Sequence, residues 1–205
     1  HDAGDLSQQT VQTAELALSL VQTASIYERR DADLATRIRE EGIWGLDFVM
    51  RMRLGKGYRA SSAGVSRWTD GQIGDMDDAS ARVHNSPYDN FLTTGILARA
   101  YRLLPDDEPM RRALGSILLE DLDDAQRGFD REPFRHDPVM WEHTYSTSKS
   151  LYLATMIWTC SEVAKATGER GPVERAKTLI PQLLACQERA PSLLPDGRTL
   201  SGAFC

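Results

Sequence analysis

The strongest constraint on this 205-residue chain is apolar residues recurring at spacings of three and four, the period of one face of an α-helix. The pattern runs through six stretches: 6–27, 33–54, 86–104, 108–129, 146–167 and 172–189. In the first, Val11, Ala14, Leu18 and Val21 keep register, while Leu16 and Leu20 add a second apolar face. In the second, Leu34, Ile38, Ile43, Leu46 and Val49 form a single stripe. The first, third and fifth stretches are apolar or small nearly all round. The second, fourth and sixth carry charge on one face, at Arg37, Arg39, Glu40 and Glu41, at Arg111, Arg112, Glu120 and Asp121, and at Glu174, Arg175 and Lys177. A helix that is apolar on more than one side has to be covered on more than one side. Inner helices alternating with outer ones predict an all-α chain, an α/α toroid built from about three antiparallel helical hairpins. A solenoid of helical hairpins would show the same alternation, but no fixed-period repeat marks this sequence.

Punctuation agrees with these limits. Ser86-Pro87 is an N-cap followed by proline at the first helical position. Pro105 ends the third helix, Gly168 closes the fifth, and Pro181 is expected to kink the sixth. Trp44, between Ile43 and Leu46, is expected to pack in the core, as are Cys160 and Cys186. Under this architecture the segment before Leu6 and the loops at 56–86 and 130–143 share one rim.

Composition narrows the function classes. Apolar residues make up 41% and charged residues 26%, which excludes a disordered or fibrous chain. The net charge of −6 provides no attraction for polyanions, so no nucleic-acid partner is expected. The longest apolar run, 151–158, is far short of the ~20 residues of a membrane span, so no membrane-spanning segment is expected either. Three cysteines without close spacing give no metal or redox motif, and no cofactor is expected. Asp75, Asp77 and Asp78 have the oxygen chemistry of a Ca²⁺ site, but three acids in a polar loop are more often a solvated loop, and no metal is assigned.

The polar loops hold the candidate binding residues. Residues 56–86 lack helical periodicity, with strand-like pieces near Tyr58 and Val65, and a loop of that length in a compact domain tends to be functional. Trp68 offers a ring face. Arg67, Asp70, Arg82, His84 and Asn85 offer hydrogen-bonding groups, and Trp141, His143 and Tyr145 form a second aromatic-polar group. Such mixtures suit sugars, which present C–H faces and hydroxyls together. Equally, Trp141 can pack beneath its loop and His143 can cap a helix. At the start, Asp2-Ala3-Gly4-Asp5 puts two carboxylates around a small, flexible pair. Two carboxylates around one water can orient it and take its proton, and their proximity raises one pKa. The simpler alternative is that Asp5 caps the first helix and Asp2 sits in a turn.

The segment His1-Asp2-Ala3-Gly4-Asp5 resembles the W-[HY]-D-A-G-D motif of glycoside hydrolase family 9. Ile43-Trp44-Gly45-Leu46-Asp47-Phe48-Val49 resembles that family's W-G-L-D-[WFY] stretch, and Ile73-Gly74-Asp75 more weakly its V-G-D loop. The resemblance implies an (α/α)6 barrel and hydrolysis of O-glycosidic bonds with inversion, which needs the acid and base ~6.5–9.5 Å apart so that a water fits. It implies Asp5 as the base, Asp2 as a second holder of the water and His1 as a substrate contact. The acid is a glutamate outside the matched portion; Glu132, Glu142 and Glu162 do not occur in its context. Where cellulase members carry His or Tyr, Lys and an aromatic after D-A-G-D, this chain has Leu6-Ser7-Gln8-Gln9. Another β-glycan, an oligosaccharide or an exo-acting mode is therefore equally compatible.

The carbohydrate substrate is the one partner expected, the oligomeric state is left open, and the family implies a secreted or periplasmic protein. Residues 1–205 are expected to be part of one catalytic domain, truncated at both ends, inactive by itself and with the apolar sides of its inner helices uncovered. Two other readings stay open. One is an α/α-barrel polysaccharide lyase, with a base among His84, Tyr88, His143 and Tyr145; the other is a non-catalytic carbohydrate-binding helical module.

Overall fold

A computed structural model describes residues 7–65, 79–82, 86–135, 148–189, 192–193, 195–202 and 204. A short strand β1 (Ser7–Gln9) leads into helix α1 (Thr10–Tyr27), which is followed by α2 (Ala32–Arg51). Strands β2 (Ser62–Val65) and β3 (Ala79–Arg82) precede α3 (Pro87–Leu103), α4 (Pro109–Gly115) and α5 (Leu118–Arg131). Then come α6 (Lys149–Thr167), α7 (Gly171–Leu184) and a two-stranded ladder of β4 (Ser192–Leu193) with β5 (Thr199–Leu200).

The helices form three hairpins of an α/α toroid. α1 packs on α2, α3 on α4 and α5, and α6 on α7. The first helices of the hairpins also touch each other in sequence, α1 on α3 and α3 on α6, and so form the inner row. α3 and α6 run parallel: Tyr88 meets Tyr152, Thr159 donates to the Phe91 carbonyl at 2.8 Å, and Arg102 pairs with Glu162 at 2.7 Å. Close approach depends on small residues at two seams. A Cβ on Gly45 would lie 2.9 Å from Ala17 Cβ, where α2 crosses α1, and one on Gly95 would run into the Trp158 ring, where α3 meets α6.

Several expectations change. The first helix begins at Thr10, because residues 7–9 pair with β2 instead of extending α1. The fourth helix is two, broken at Ser116 and Ile117; Gly115 just before the break lies against Tyr101, where a Cβ would come within 2.8 Å of the ring. Pro181 lies inside α7, which ends at Leu184 instead of reaching 189. Trp44 is 69% exposed, since the face of α2 that meets α1 is made by Gly42, Gly45, Leu46 and Val49. Asp121, read as part of a solvated face, is fully buried. α3 is not left uncovered: 11 of its 17 residues are buried, because α1, α5 and α6 surround it.

The helix ends follow their local chemistry. Asp31, Ser86 and Ser148 accept from the backbone N–H groups of Leu34, Asp89 and Leu151 and cap α2, α3 and α6. Gly168 closes α6 at φ 76°, in the left-handed region glycine favours. α1 has no side-chain cap; its Thr10 N–H donates to the Ser61 carbonyl at 2.8 Å, so the loop before β2 satisfies an end that the helix leaves open.

Candidate functional site

The three inner helices begin at one end of the arc. β1 runs straight into α1, and β3 ends four residues before the Ser86 cap of α3. The two strands flank β2 in a sheet of order β1-β2-β3, so α1 and α3 both start beside that sheet. β1 pairs antiparallel with β2 in the register Ser7 to Gly64, Gln8 to Ala63 and Gln9 to Ser62. β2 pairs antiparallel with β3 from Ser62 opposite Arg82 to Val65 opposite Ala79. α6 begins at the same end because it runs parallel to α3.

This rim has an aromatic base. Tyr88 of α3, Phe129 of α5, Phe134 and Tyr152 of α6 pack with ring centroids 5.2–5.6 Å apart, mostly tilted or edge-on. Phe134 adopts φ 62°, rare for a residue with a Cβ, and its ring contacts hold it there. Burial pushes the Tyr152 hydroxyl well above its ordinary pKa, with the charge of Asp89 adding to the shift. Tyr88 is buried against Tyr152. Between the start of α3 and the end of α5 a polar cleft of about 190 Å³ is lined by Pro87, Gly128, Arg131, Glu132 and Arg135.

Most residues expected to carry the chemistry lie outside the described residues: His1, Asp2 and Asp5, then Arg67, Trp68 and Asp70, then His84 and Asn85, then Trp141, His143 and Tyr145. Arg82 is described by its backbone alone, opposite Ser62 in the sheet. In sequence these segments directly adjoin β1, the sheet strands and the starts of α3 and α6. The cap position of α1 is Gln9, four residues after Asp5, so Asp5 is not the cap of that helix. Of the glutamates weighed as acids, one lies away from the rim and one lines its polar cleft. Glu162 is buried and bonded to Arg102 and Lys165 far down α6, and Glu132 is exposed and paired with Arg135. Among the described residues no group of three or more His, Cys, Asp or Glu is placed to hold a metal ion, and no helix is long and apolar enough to cross a membrane.

Sequence reasoning missed a buried ionic cluster beside the sheet. Arg59, 3% exposed, donates through Nη2 to Asp121 Oδ2, and Arg53 Nε donates to Asp121 Oδ1 at 2.9 Å. Arg53 also pairs with Glu120. Burial, opposed by the nearby Asp121 charge, lowers the pKa of Arg59. The one signal for it was an arginine between Tyr58 and Ala60 with no charged neighbour on either side.

No protein-family model matches the sequence, and no curated protein matches it. Solved structures do. The endoglucanase of the termite Nasutitermes takasagoensis superposes with a TM-score of 0.63 over 93% of this chain and 45% of its own, at 14% identity. A metagenome-derived glycoside hydrolase family 9 endoglucanase gives 0.58 over 90% of this chain and 35% of its own, at 19% identity. Endoglucanase CelQ from Clostridium thermocellum, solved with cellotetraose, gives 0.57 over 88% and 30%, at 15% identity. The chain thus spans 30–45% of the length of these proteins. Three hairpins, an inner row starting at one rim and these superpositions identify the fold as that of the α/α toroid of glycoside hydrolase family 9 endoglucanases.

Proposed function

We propose that these three hairpins form part of the catalytic toroid of a glycoside hydrolase that cleaves O-glycosidic bonds of a β-glycan or oligosaccharide with inversion. The observation that carries this reading is the place of the D-A-G-D segment in the sequence. Its last residue, Asp5, comes two residues before Ser7 of β1, and β1 leads into α1 at the end where the three inner helices begin. The cap position of α1 is Gln9, not Asp5, and the Ser61 carbonyl accepts the Thr10 N–H.

In this reading Asp5 takes the proton of a water as that water attacks the anomeric carbon, and Asp2 orients the same water. The second carboxylate raises the pKa of the first, which suits a base working near neutral pH. A glutamic acid supplied from outside these hairpins protonates the leaving oxygen across the water-sized gap that inversion requires. Trp68 and Trp141 offer stacking faces, and His1, Arg67, Asp70, Arg82, His84, Asn85, His143 and Tyr145 bind hydroxyls. The relatives' greater length and the exposed Leu151, Ile180 and Leu184 of the last hairpin support a larger toroid around these three hairpins.

The test is Asp5→Asn in the full-length protein, assayed on a panel of soluble β-glycans and oligosaccharides. The expected loss in kcat is on the order of 10³-fold. Proton NMR of the first product should show the anomer opposite to the substrate linkage. Full activity in the variant removes Asp5 as the base, and a retained anomer removes the mechanism.

A further inference from the structure

The ionic cluster at Arg53, Arg59 and Asp121 lies between the first two hairpins, and its neighbours in sequence are the strands of the rim. Arg53 and Arg59 face each other in an antiparallel bridge that closes a tight turn, with the Leu54 N–H donating to the Tyr58 carbonyl at 2.8 Å. Gly57, at φ 77°, lets this turn press onto α5, where a Cβ would collide with Asp124. After the turn the chain is buried through Arg59, Ala60, Ser61 and Ser62. That stretch has one large side chain, and it is the arginine bonded to Asp121 of the second hairpin.

The same stretch holds the start of α1. Thr10, itself buried, donates through Oγ1 to the Ala60 carbonyl at 2.7 Å and through its N–H to the Ser61 carbonyl at 2.8 Å. The next three residues take up the ladder with Gln9, Gln8 and Ser7. Asp5 is two residues before Ser7. The β1 sequence Ser-Gln-Gln has no apolar alternation with which to set its own register, and in such a strand a slip of one residue costs little while turning every side chain to the other face. Something outside the ladder has to fix it.

We infer that the Arg59–Asp121 ion pair is a positioning device: it pins the segment 59–62 to the second hairpin, and through Thr10 and the β1–β2 ladder sets the register of the acidic motif that precedes β1. The inference rests on the reading of Asp5 as the base. Arg59 Nε and Nη1 are buried with no hydrogen-bond partner among the described residues, so the arginine is a poor choice for stability alone. A buried ion pair contributes little net stability compared with apolar residues of similar size, and fixing one arrangement over its neighbours is the better-attested use.

The test compares two ion pairs in the full-length protein. Arg59→Met with Asp121→Leu replaces the rim pair by apolar residues, while Arg53 loses Asp121 and keeps Glu120 as its partner. Arg102→Met with Glu162→Leu does the same to a pair between α3 and α6 well away from the sheet. Both double variants are expected to keep a cooperative thermal transition. The rim double variant is expected to lose about tenfold or more in kcat with KM changed less than about threefold, because a displaced base acts on the reaction more than on binding. The acidic limb of its kcat–pH profile should move, while the Arg102/Glu162 variant keeps both kcat and the profile. Faster amide exchange at residues 7–10 in the rim variant alone should accompany the loss. Unchanged kcat and profile in the rim variant, with Asp5→Asn inactive, overturns the positioning role and leaves the base assignment standing. Equal losses in the two double variants overturn it as well, as a general packing effect. Full activity in Asp5→Asn, which leaves the ion pair intact, overturns the base assignment and the inference with it.

Discussion

Helices α3 and α6 are both inner helices of nearly uniform apolar composition, yet they are buried to different depths. α3 buries 11 of 17 residues, including Asn90, Thr93 and Thr94. α6 buries 9 of 19, and Leu151 in its first turn is 43% exposed. α3 has an inner neighbour on each side and α5 behind it, whereas α6 has α3 on one side and α7 behind. Its other side opens on an apolar groove of about 340 Å³ lined by Ser150, Leu151, Ala154, Leu183 and Phe204. The difference comes from place in the arc and not from hydrophobicity. It also shows why polar side chains are tolerated in α3: Thr94 Oγ1 donates to the Asn90 carbonyl at 2.7 Å, and the Phe91 carbonyl receives Thr159.

The contrast can be broken most directly by truncating one leucine in each helix. Leu97 is fully buried, so Leu97→Ala should lower unfolding stability by about 2–5 kcal/mol through lost transfer energy and a residual cavity. Leu151→Ala should cost no more than about 0.5 kcal/mol, the range of substitutions at exposed positions. Urea unfolding of the 205-residue chain, in which Leu151 is exposed, measures both. Equal losses would mean that the groove beside α6 is filled as α3's surroundings are.

A glycine pair sharpens the seam between the two helices. Gly95→Ala places a methyl where the Trp158 ring and Thr159 Oγ1 stand, and should cost about 1–3 kcal/mol. Gly55 meets nothing within 4 Å, so Gly55→Ala should change the unfolding midpoint little. A neutral Gly95→Ala would overturn the close approach of α3 to Trp158 of α6.

The smallest effect lies in the thiols. Burial pushes Cys160 up to about 11 from its ordinary 9.0. The neutral thiol is therefore the form that the folded state favours. Its contribution to stability is fully present below the unfolded value and is lost as pH rises through about 11. Cys160 should resist alkylation at pH 8 until urea unfolds the protein, while the half-buried Cys186 on the last hairpin should react in the folded state. Mass spectrometry of the labelled peptides separates the two.

Much of the fold could be read along the chain. Ser86-Pro87, Gly168 and the apolar periods placed the starts and ends of most helices within a few residues, because caps and periodicity are local chemistry. The break between α4 and α5 had a signal in Gly115-Ser116, a pair that often marks an interrupted helix. Trp44 and Asp121 were read the wrong way round for one reason. Their hydrophobicity and charge describe the side chains, whereas burial was decided by what arrived from elsewhere: α1 onto Gly42 and Gly45, and Arg53 and Arg59 onto Asp121. The candidate site divides likewise. The acidic motif stands out in the sequence as a spacing of carboxylates, but the strand that follows it looked like the first turn of a helix. Ser-Gln-Gln has no period of its own, and only the hydrogen-bonding edge of β2 makes it a strand.

The sequence by itself determined the all-α hairpins, their inner and outer alternation and the identity of the acidic motif, since each follows from residues within a few turns of one another. The tertiary structure decided which inner helix is enclosed, that the loop before β2 supplies the missing cap of α1, and that a buried ion pair joins the first hairpin to the second. Those depend on partners about 50 to 70 residues away, and no local pattern records which distant group will satisfy a buried charge or an open helix end.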